Sequence, residues 1–176
     1  MIGEVNLREA VPDDGAAVAA IYAHHVLHGT ASYDTEAPSP AQMRDKIVHV
    51  LAQGWPFLVA EAEGEVVGYA YATQFRDRPA YAYTCENSIY VRSGHGGRGI
   101  GRRLLQALLV GAEQAGFRQM VAVIGGAEPA SVALHAACGF RETGRIEAAG
   151  WKKGRWLDNV YMQKALGPGA TRPPDG

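Results

Sequence analysis

Between Gly94 and Gly101 the chain reads Gly-His-Gly-Gly-Arg-Gly-Ile-Gly, five glycines in eight residues. The run from Cys85 to Val91 just before it alternates like a strand. Just after it, Leu104, Leu105, Leu108, Leu109 and Ala112 lay an apolar stripe along a helix predicted over 100–115 and ended by Gly116. Glycines between a strand and a helix N-terminus let backbone N–H groups approach phosphate oxygens, so the segment is expected to hold an anion. A flexible connector or tight turn is the alternative reading of such a loop, and the placement between strand and helix weighs against it. Gly94, Gly96 and Gly99 satisfy GxGxxG, yet Gln119 stands where a dinucleotide fold wants an acid about 20 residues on. Gly101 is followed by Arg102 and Arg103 instead of Lys-Ser/Thr, which excludes a Walker A loop.

The 176 residues make one domain of ordinary size, and 47% hydrophobic with 20% charged residues is a globular composition. Seventeen basic against eighteen acidic residues give a formal charge of −1, which offers no field for a nucleic acid or an anionic membrane. Cys85 and Cys138 are far apart and lack CxxC or His-rich neighbours, so neither a disulfide framework nor a metal site is expected. Residues 15–33 carry no Asp, Glu, Lys or Arg, but His24, His25, His28, Thr30 and Ser32 break the apolar run, and no membrane span is expected. The cysteine usage fits a reducing, cytoplasmic setting as the expectation, and the start Met1-Ile2-Gly3-Glu4-Val5, with neither a basic nor an apolar leader region, shows no export signal.

Along the chain, Val5, Leu7 and Ala10 read as a short strand. Pro12-Asp13-Asp14 then leads into a helix capped by an Asp and carrying Val18, Ile21, Tyr22 and Val26. Ser39-Pro40 starts a second helix that Gly54 ends. Residues 55–62 and 66–73 form two strands joined by a hairpin at Glu63-Gly64-Glu65. A loop over 75–82, the strand at 85–91, the glycine segment and the helix follow. Then come a buried strand at 120–124, a short helix over 129–138, and a strand pair at 141–147 and 157–163 turning at Gly154. The Gly- and Pro-rich residues 167–176 are expected to form a flexible tail.

This order of elements, with Gly96-Gly-Arg-Gly-Ile-Gly101, resembles the GNAT superfamily of N-acetyltransferases over about residues 4–166. The likeness narrows at Ile21-Tyr22-Ala-His24, Thr30 to Glu36, Tyr83 to Val91, Val121 to Gly125, Ser131 to His135 and Ala148 to Lys152. Those segments resemble the phosphinothricin acetyltransferases and relatives that acetylate methionine sulfoximine. The resemblance implies a single α+β domain over 1–166, a three-layer α/β/α arrangement. It has a mixed, mostly antiparallel sheet of six to seven strands and about four helices. It also implies acetyl-CoA as co-substrate, a small amino-acid-like acceptor and a homodimer. Two departures stand out: Gly96 replaces the usual Gln or Arg, which keeps the backbone donor, and Glu128 replaces an Asn, where a carboxylate has no N–H to give.

By that resemblance the pyrophosphate is expected at the N–H groups of Gly96, Gly97, Arg98, Gly99, Ile100, Gly101 and Arg102, and the pantetheine and thioester along Ile89, Tyr90 and Val91. Glu86 is expected to take the ammonium proton and His135 to act in catalysis as acid or base, since imidazole titrates near neutral pH. Arg76 and Arg78, with Tyr81 and Tyr83, are expected to hold the acceptor's acidic groups, two guanidiniums suiting a carboxylate and a phosphinate or sulfoximine oxygen. Tyr33 is expected to close the pocket. Surface roles for each of these residues, and a non-catalytic acyl-CoA-binding module for the whole chain, are the competing readings. Trp151, Lys152 and Trp156 suit either a dimer contact or the substrate entrance.

Overall fold

The structure, a computed structural model, describes residues 4–174; the reading of a missing leader rests partly on residues 1–3, and the tail's last two residues also lie outside the described span. Seven strands form one sheet in the order β1-β2-β3-β4-β5-β7-β6. They are β1 (Asn6–Glu9), β2 (Phe57–Ala62), β3 (Glu65–Gln74), β4 (Thr84–Val91), β5 (Gln119–Gly125), β6 (Arg141–Lys152) and β7 (Arg155–Ala165). The helices are α1 (Gly15–His28), α2 (Pro40–Ala52), α3 (Ile100–Gln114) and α4 (Pro129–Ala137).

Strand alternation puts a core on each face of the sheet. Phe57, Val59 and Tyr69 point toward α1 and α2, where they meet Val18, Ile21, Met43 and Ile47. Ala60, Ala70, Ala72 and Cys85 point the other way, against Leu104, Leu105 and Leu108 of α3. Gly68 has no side chain because a Cβ there would lie 3.1 Å from Leu104 Cδ1. This is the three-layer α/β/α arrangement expected, with the expected number of helices.

The parting of β4 from β5 positions the site. All ladders are antiparallel except β4–β5, which is parallel over three pairs only, Thr84↔Gln119, Cys85↔Met120 and Glu86↔Val121. Past that point β4 stays paired to β3 up to Val91, and β5 stays paired to β7 up to Gly125. The two halves of the sheet therefore open a V whose inner edges have no strand partner; on the β4 side His25 Nε2 meets the Val91 carbonyl at 2.8 Å.

Several details differ from the sequence expectation. Asp14 sits at the start of α1 but makes no side-chain cap bond to it. Its carboxylate instead accepts Val11 N–H at 2.8 Å and two bonds from Arg8 at 2.8 and 2.9 Å, closing a 3₁₀ turn at Pro12–Asp14. A two-pronged guanidinium outcompetes a cap, and it holds the Asp14 carboxyl below the usual range. Ser39 does cap α2, accepting Gln42 N–H at 3.1 Å while Gln42 Oε1 accepts Ser39 N–H at 2.8 Å.

β5 is expected to be buried throughout, yet in its middle only alternate residues, Met120, Ala122 and Ile124, are buried, while Val121 and Val123 on the other face are half-buried. β6 runs five residues beyond the expected 147. Its exposed stretch 141–149 has no apolar alternation to reveal it, and its register shifts between Ile146 and Gly150. Trp151 pairs with Trp156 across the β6–β7 hairpin, whose turn residues Lys153 (φ 52°) and Gly154 (φ 72°) both take left-handed backbone. After β7 the segment expected to be flexible turns back on Arg118, whose guanidinium donates to the carbonyls of Gly169, Arg172 and Pro173.

Candidate active site

Two adjoining cavities fill the V. The larger, about 660 Å³, runs from His24 and His25 on α1, past Ile89, Tyr90 and Val91, to Gly96, Gly97, Gly99, Ile100, Gly101 and Arg102, with Ser131 and Leu134 of α4 opposite. The smaller, about 260 Å³, holds Tyr33, Asp34, Glu86, Asn87 and His135. Ala31, Ile89, Tyr90 and Ser131 line both, so the two form one passage through the sheet.

The glycine segment suits a phosphate cradle. Gly97 (φ 72°) and Gly99 (φ 78°) take left-handed backbone that L-residues rarely adopt, and nothing lies within 4 Å of a Cβ built at Gly96, Gly97 or Gly99. That open space faces the start of α3, whose first helical bond of this kind runs from Arg103 N–H to Gly99 O at 3.0 Å. The N–H groups of residues 100–102 thus have no helical acceptor, and the helix dipole makes them receptive to negative charge. Arg98 is exposed and does not line the cavity, whereas His95 does and was not foreseen. Glu128 lines the same cavity and makes no side-chain bond to cap α4.

Glu86 and Asn87 are neighbours on β4 and point to opposite faces, yet both reach the smaller cavity because it pierces the sheet. Burial pushes the Glu86 carboxyl up, and Arg76, 3.9 Å away, partly opposes it. Arg76 stacks on Phe75, with its Cζ 4.0 Å from the ring centre. Asp34 adds a second carboxylate to the lining, tied to the Tyr22 hydroxyl, which also meets Ser32 Oγ at 2.7 Å. No Lys or Arg lines the smaller cavity among the described residues, so its chemistry suits a cation.

His135, 2% exposed, lies on the α4 side. Its Nδ1 donates to the Ser131 carbonyl at 2.8 Å, and its Nε2 lies 3.1 Å from Asn87 Oδ1. Burial holds the imidazole below its ordinary range, so the ring is neutral at neutral pH.

Tyr33 lies across notches left by two glycines. A Cβ on Gly150 would come within 2.7 Å of its ring, and one on Gly125 would lie 2.6 Å from Ala31 O. Lys152, 8% exposed, donates to Ser32 O at 2.7 Å and pins the same loop from below. Tyr33 therefore walls the cavity with Glu86, His135, Ile89 and Tyr90. Arg78 makes no side-chain contact with that group; its carbonyl accepts Gln74 Nε2 at 2.9 Å, and its side chain is exposed. Tyr81 packs edge-on against Phe75, and Tyr83 lines a separate depression with Arg118 and the tail. Asp34, Asn87 and His25 were missed. Asp34 sits in a loop without periodicity, and Asn87 lies inside the strand motif with no signal of its own.

An acetyltransferase (GNAT) family model matches residues 16–140, and the chain belongs to that family. It is 46% identical to a phosphinothricin N-acetyltransferase of Alcaligenes faecalis over 93% of this chain and 83% of that one. It is 37% identical to an L-methionine sulfoximine/L-methionine sulfone acetyltransferase of Salmonella typhimurium, over 92% and 95%. A solved phosphinothricin acetyltransferase from Sinorhizobium meliloti in complex with acetyl-CoA superposes with a TM-score of 0.95 at 45% identity, covering 97% of this chain and 93% of that one.

Proposed function

We propose that the chain moves an acetyl group from acetyl-CoA to the α-amino group of a small amino-acid-like acceptor of the phosphinothricin or methionine sulfoximine type. The observation that carries this reading is the passage through the sheet: a long cavity ending at the glycine cradle, continuous with a small one walled by Glu86 and Asp34. The first fits an extended phosphate-bearing arm and the second a compact ammonium group. The names of the relatives supply the acceptor class.

Bound acetyl-CoA supplies a thioester whose carbonyl carbon forms the new C–N bond as its C–S bond breaks. Glu86, with its carboxyl raised by burial, takes one proton from the ammonium and frees the nitrogen lone pair. Unpaired N–H groups on the inner edge of β4 offer hydrogen bonds to the carbonyl oxygen as it gains charge. His135 is neutral at rest and so begins with no proton to spare; it accepts the one the nitrogen sheds on acylation and returns it to the leaving sulfur. We read its role as a relay, base first and acid second. Incubation with acetyl-CoA and either amine should release CoA with saturation in both substrates. If neither amine is acetylated, the acceptor class is wrong.

Arg76 gives a sign-definite test. Its charge lowers a Glu86 carboxyl that burial raises, so Arg76→Ala should move that group further up. A base must be ionised to work, and the acid limb of kcat/KM for the amine should therefore shift to higher pH in the variant. A limb that stays put or moves down would separate Arg76 from Glu86.

The hairpin end of β6–β7 is the surface we assign to a second copy. Trp151 and Trp156 are 60% and 63% exposed, with ring centres 5.2 Å apart, and Ile146 lies exposed on the same strand. Large aromatic surface left in water favours pairing. Light scattering should return about twice 18.8 kDa, and Trp151→Ser with Trp156→Ser should return the single mass. A wild-type chain that runs at 18.8 kDa at micromolar concentration would refute the pairing. Both cysteines are buried and unpaired, in keeping with a reducing, cytoplasmic setting, and no helix among the described residues is long and apolar enough to cross a membrane.

A further inference from the structure

The amide of Asn87 is a buried polar group that the chemistry above leaves without a role. Asn87 is 8% exposed on β4 and lines the smaller cavity; its Oδ1 lies 3.1 Å from His135 Nε2, and its Nδ2 has no hydrogen-bond partner. Across the ring, Nδ1 lies 2.8 Å from the Ser131 carbonyl. A carbonyl only accepts, and at 2.8 Å it is the nearer partner than the Ser131 hydroxyl, 3.4 Å from the same nitrogen, so Nδ1 carries the proton.

That fixes what Nε2 requires. With Oδ1 facing it, as in the structure, Nε2 must also carry a proton; that arrangement fits the imidazolium, whereas the neutral ring that burial favours needs the opposite one. With Nε2 bare, the partner must donate, and the amide has to present Nδ2 instead. The two ends of an amide have nearly the same shape, so a half-turn about the Cβ–Cγ bond exchanges donor for acceptor at little steric cost. Each orientation of Asn87 matches one protonation state of His135.

We propose that Asn87 is a positioning residue for the acetyl transfer, its amide holding Nε2 of His135 before the ring takes up a proton and again after, turning end for end between the two, and releasing that nitrogen to the reacting groups while the proton moves. The inference rests on the acetyltransferase reading given above. An uncharged partner is what a relay needs. A carboxylate in this place would hold the imidazolium and keep its proton, and an alkyl group would leave a buried N–H unpaired whenever the ring is charged. The other groups against the ring do not compete: Ser131 serves Nδ1 from the same helix, and the Phe140 ring meets it edge-on at 5.0 Å. Glu86 and Asp34 are the carboxylates that line the same cavity, and neither hydrogen-bonds to the ring.

The test is a nitrogen-detected NMR titration of His135 without substrates in the wild type, Asn87→Asp and Asn87→Leu, with the pH profile of kcat measured on the same proteins. Asn87→Asp should raise the His135 titration midpoint by about one unit or more, the size a carboxylate within hydrogen-bond reach exerts. Asn87→Leu should lower it. The limb of kcat that follows His135 should move in the same direction in each variant, with KM for acetyl-CoA within about twofold of the wild type. Either variant decides alone if the other fails to fold. A midpoint within about 0.2 unit of the wild type overturns the proposal, as does a kcat limb that stays still while the ring shifts. Failure of the acceptor reading looks different: the wild type would acetylate neither amine, while the ring titration, made without substrates, would be unaffected.

Discussion

Glu86→Gln should lower kcat by about 100-fold or more, the usual contribution of a positioned general base, which at 1.36 kcal/mol per tenfold is about 2.7 kcal/mol of barrier. Glutamine keeps the shape of the side chain and removes only the ability to take a proton. Binding of acetyl-CoA should be unchanged by calorimetry, because the glycine cradle lies in the other cavity. Thermal stability should change little: the carboxylate's ionic partner, Arg76, is 3.9 Å away and half exposed, where such pairs contribute at most about 1 kcal/mol. The part of the acid limb that follows Glu86 should vanish with the base, leaving the part that follows His135. A variant that turns over at the wild-type rate across the pH range would remove Glu86 from the chemistry and leave Asp34 as the carboxylate to test next.

Why Glu86 was legible while Asp34 and Asn87 were not follows from how each is placed. Glu86 stands on a strand whose alternation is visible and whose end is marked by the glycine segment, so its position could be read from the strand, while its role came from the family resemblance. Position and role could be read together for Gly96 to Gly101, where the strand-loop-helix context specifies what the backbone can do, and for Ser39 and Pro40 at the start of α2. Asp34 lies in a loop, and its place in the cavity depends on Tyr33 settling over Gly125 and Gly150, residues far along the chain. Loop packing of that kind has no period to reveal it. Asn87 alternates away from Glu86, and nothing local says that the sheet will open between β4 and β5 so that both faces meet one cavity. That opening comes from which strands pair along their full length, a property of the whole sheet.

The basic and aromatic loop at 75–82, with Tyr83 just after it, shows where a sequence cluster and a spatial one part. Two arginines and two tyrosines close together in sequence read as one recognition surface, yet the 3₁₀ turn at Pro79–Tyr81 sends them apart. Arg76 remains beside Glu86, Arg78 faces solvent, and Tyr83 turns toward Arg118. Composition indicated a loop with charge to use; it carried no information on direction.

Gly99→Asp should raise KM for acetyl-CoA by about tenfold or more while leaving kcat at saturation close to the wild type. Gly99 is the residue before α3, with φ 78° and ψ 0°, and no atom lies within 4 Å of a Cβ there. The new side chain therefore fits, and its left-handed backbone costs about 1–2 kcal/mol. An aspartate at a helix N-cap returns part of that by accepting the free N–H groups of the first turn, so the melting temperature should fall only a little. The same acceptance is what harms binding, because those N–H groups are the ones assigned to the pyrophosphate. Charge adds to it: at ~6 Å and an effective dielectric constant of ~40, one like-charge pair costs roughly 1.4 kcal/mol, a factor of about ten. Gly99→Asn separates the contributions, since it shares the shape, the backbone strain and the capping oxygen but not the charge. Its KM should lie between those of the wild type and the aspartate variant. The gap between Asn and Asp should narrow as salt rises, because screening acts on the charge alone. Equal KM values in all three proteins would place the phosphates elsewhere, and equal values in Asn and Asp alone would assign the effect to blocked N–H groups with no electrostatic share.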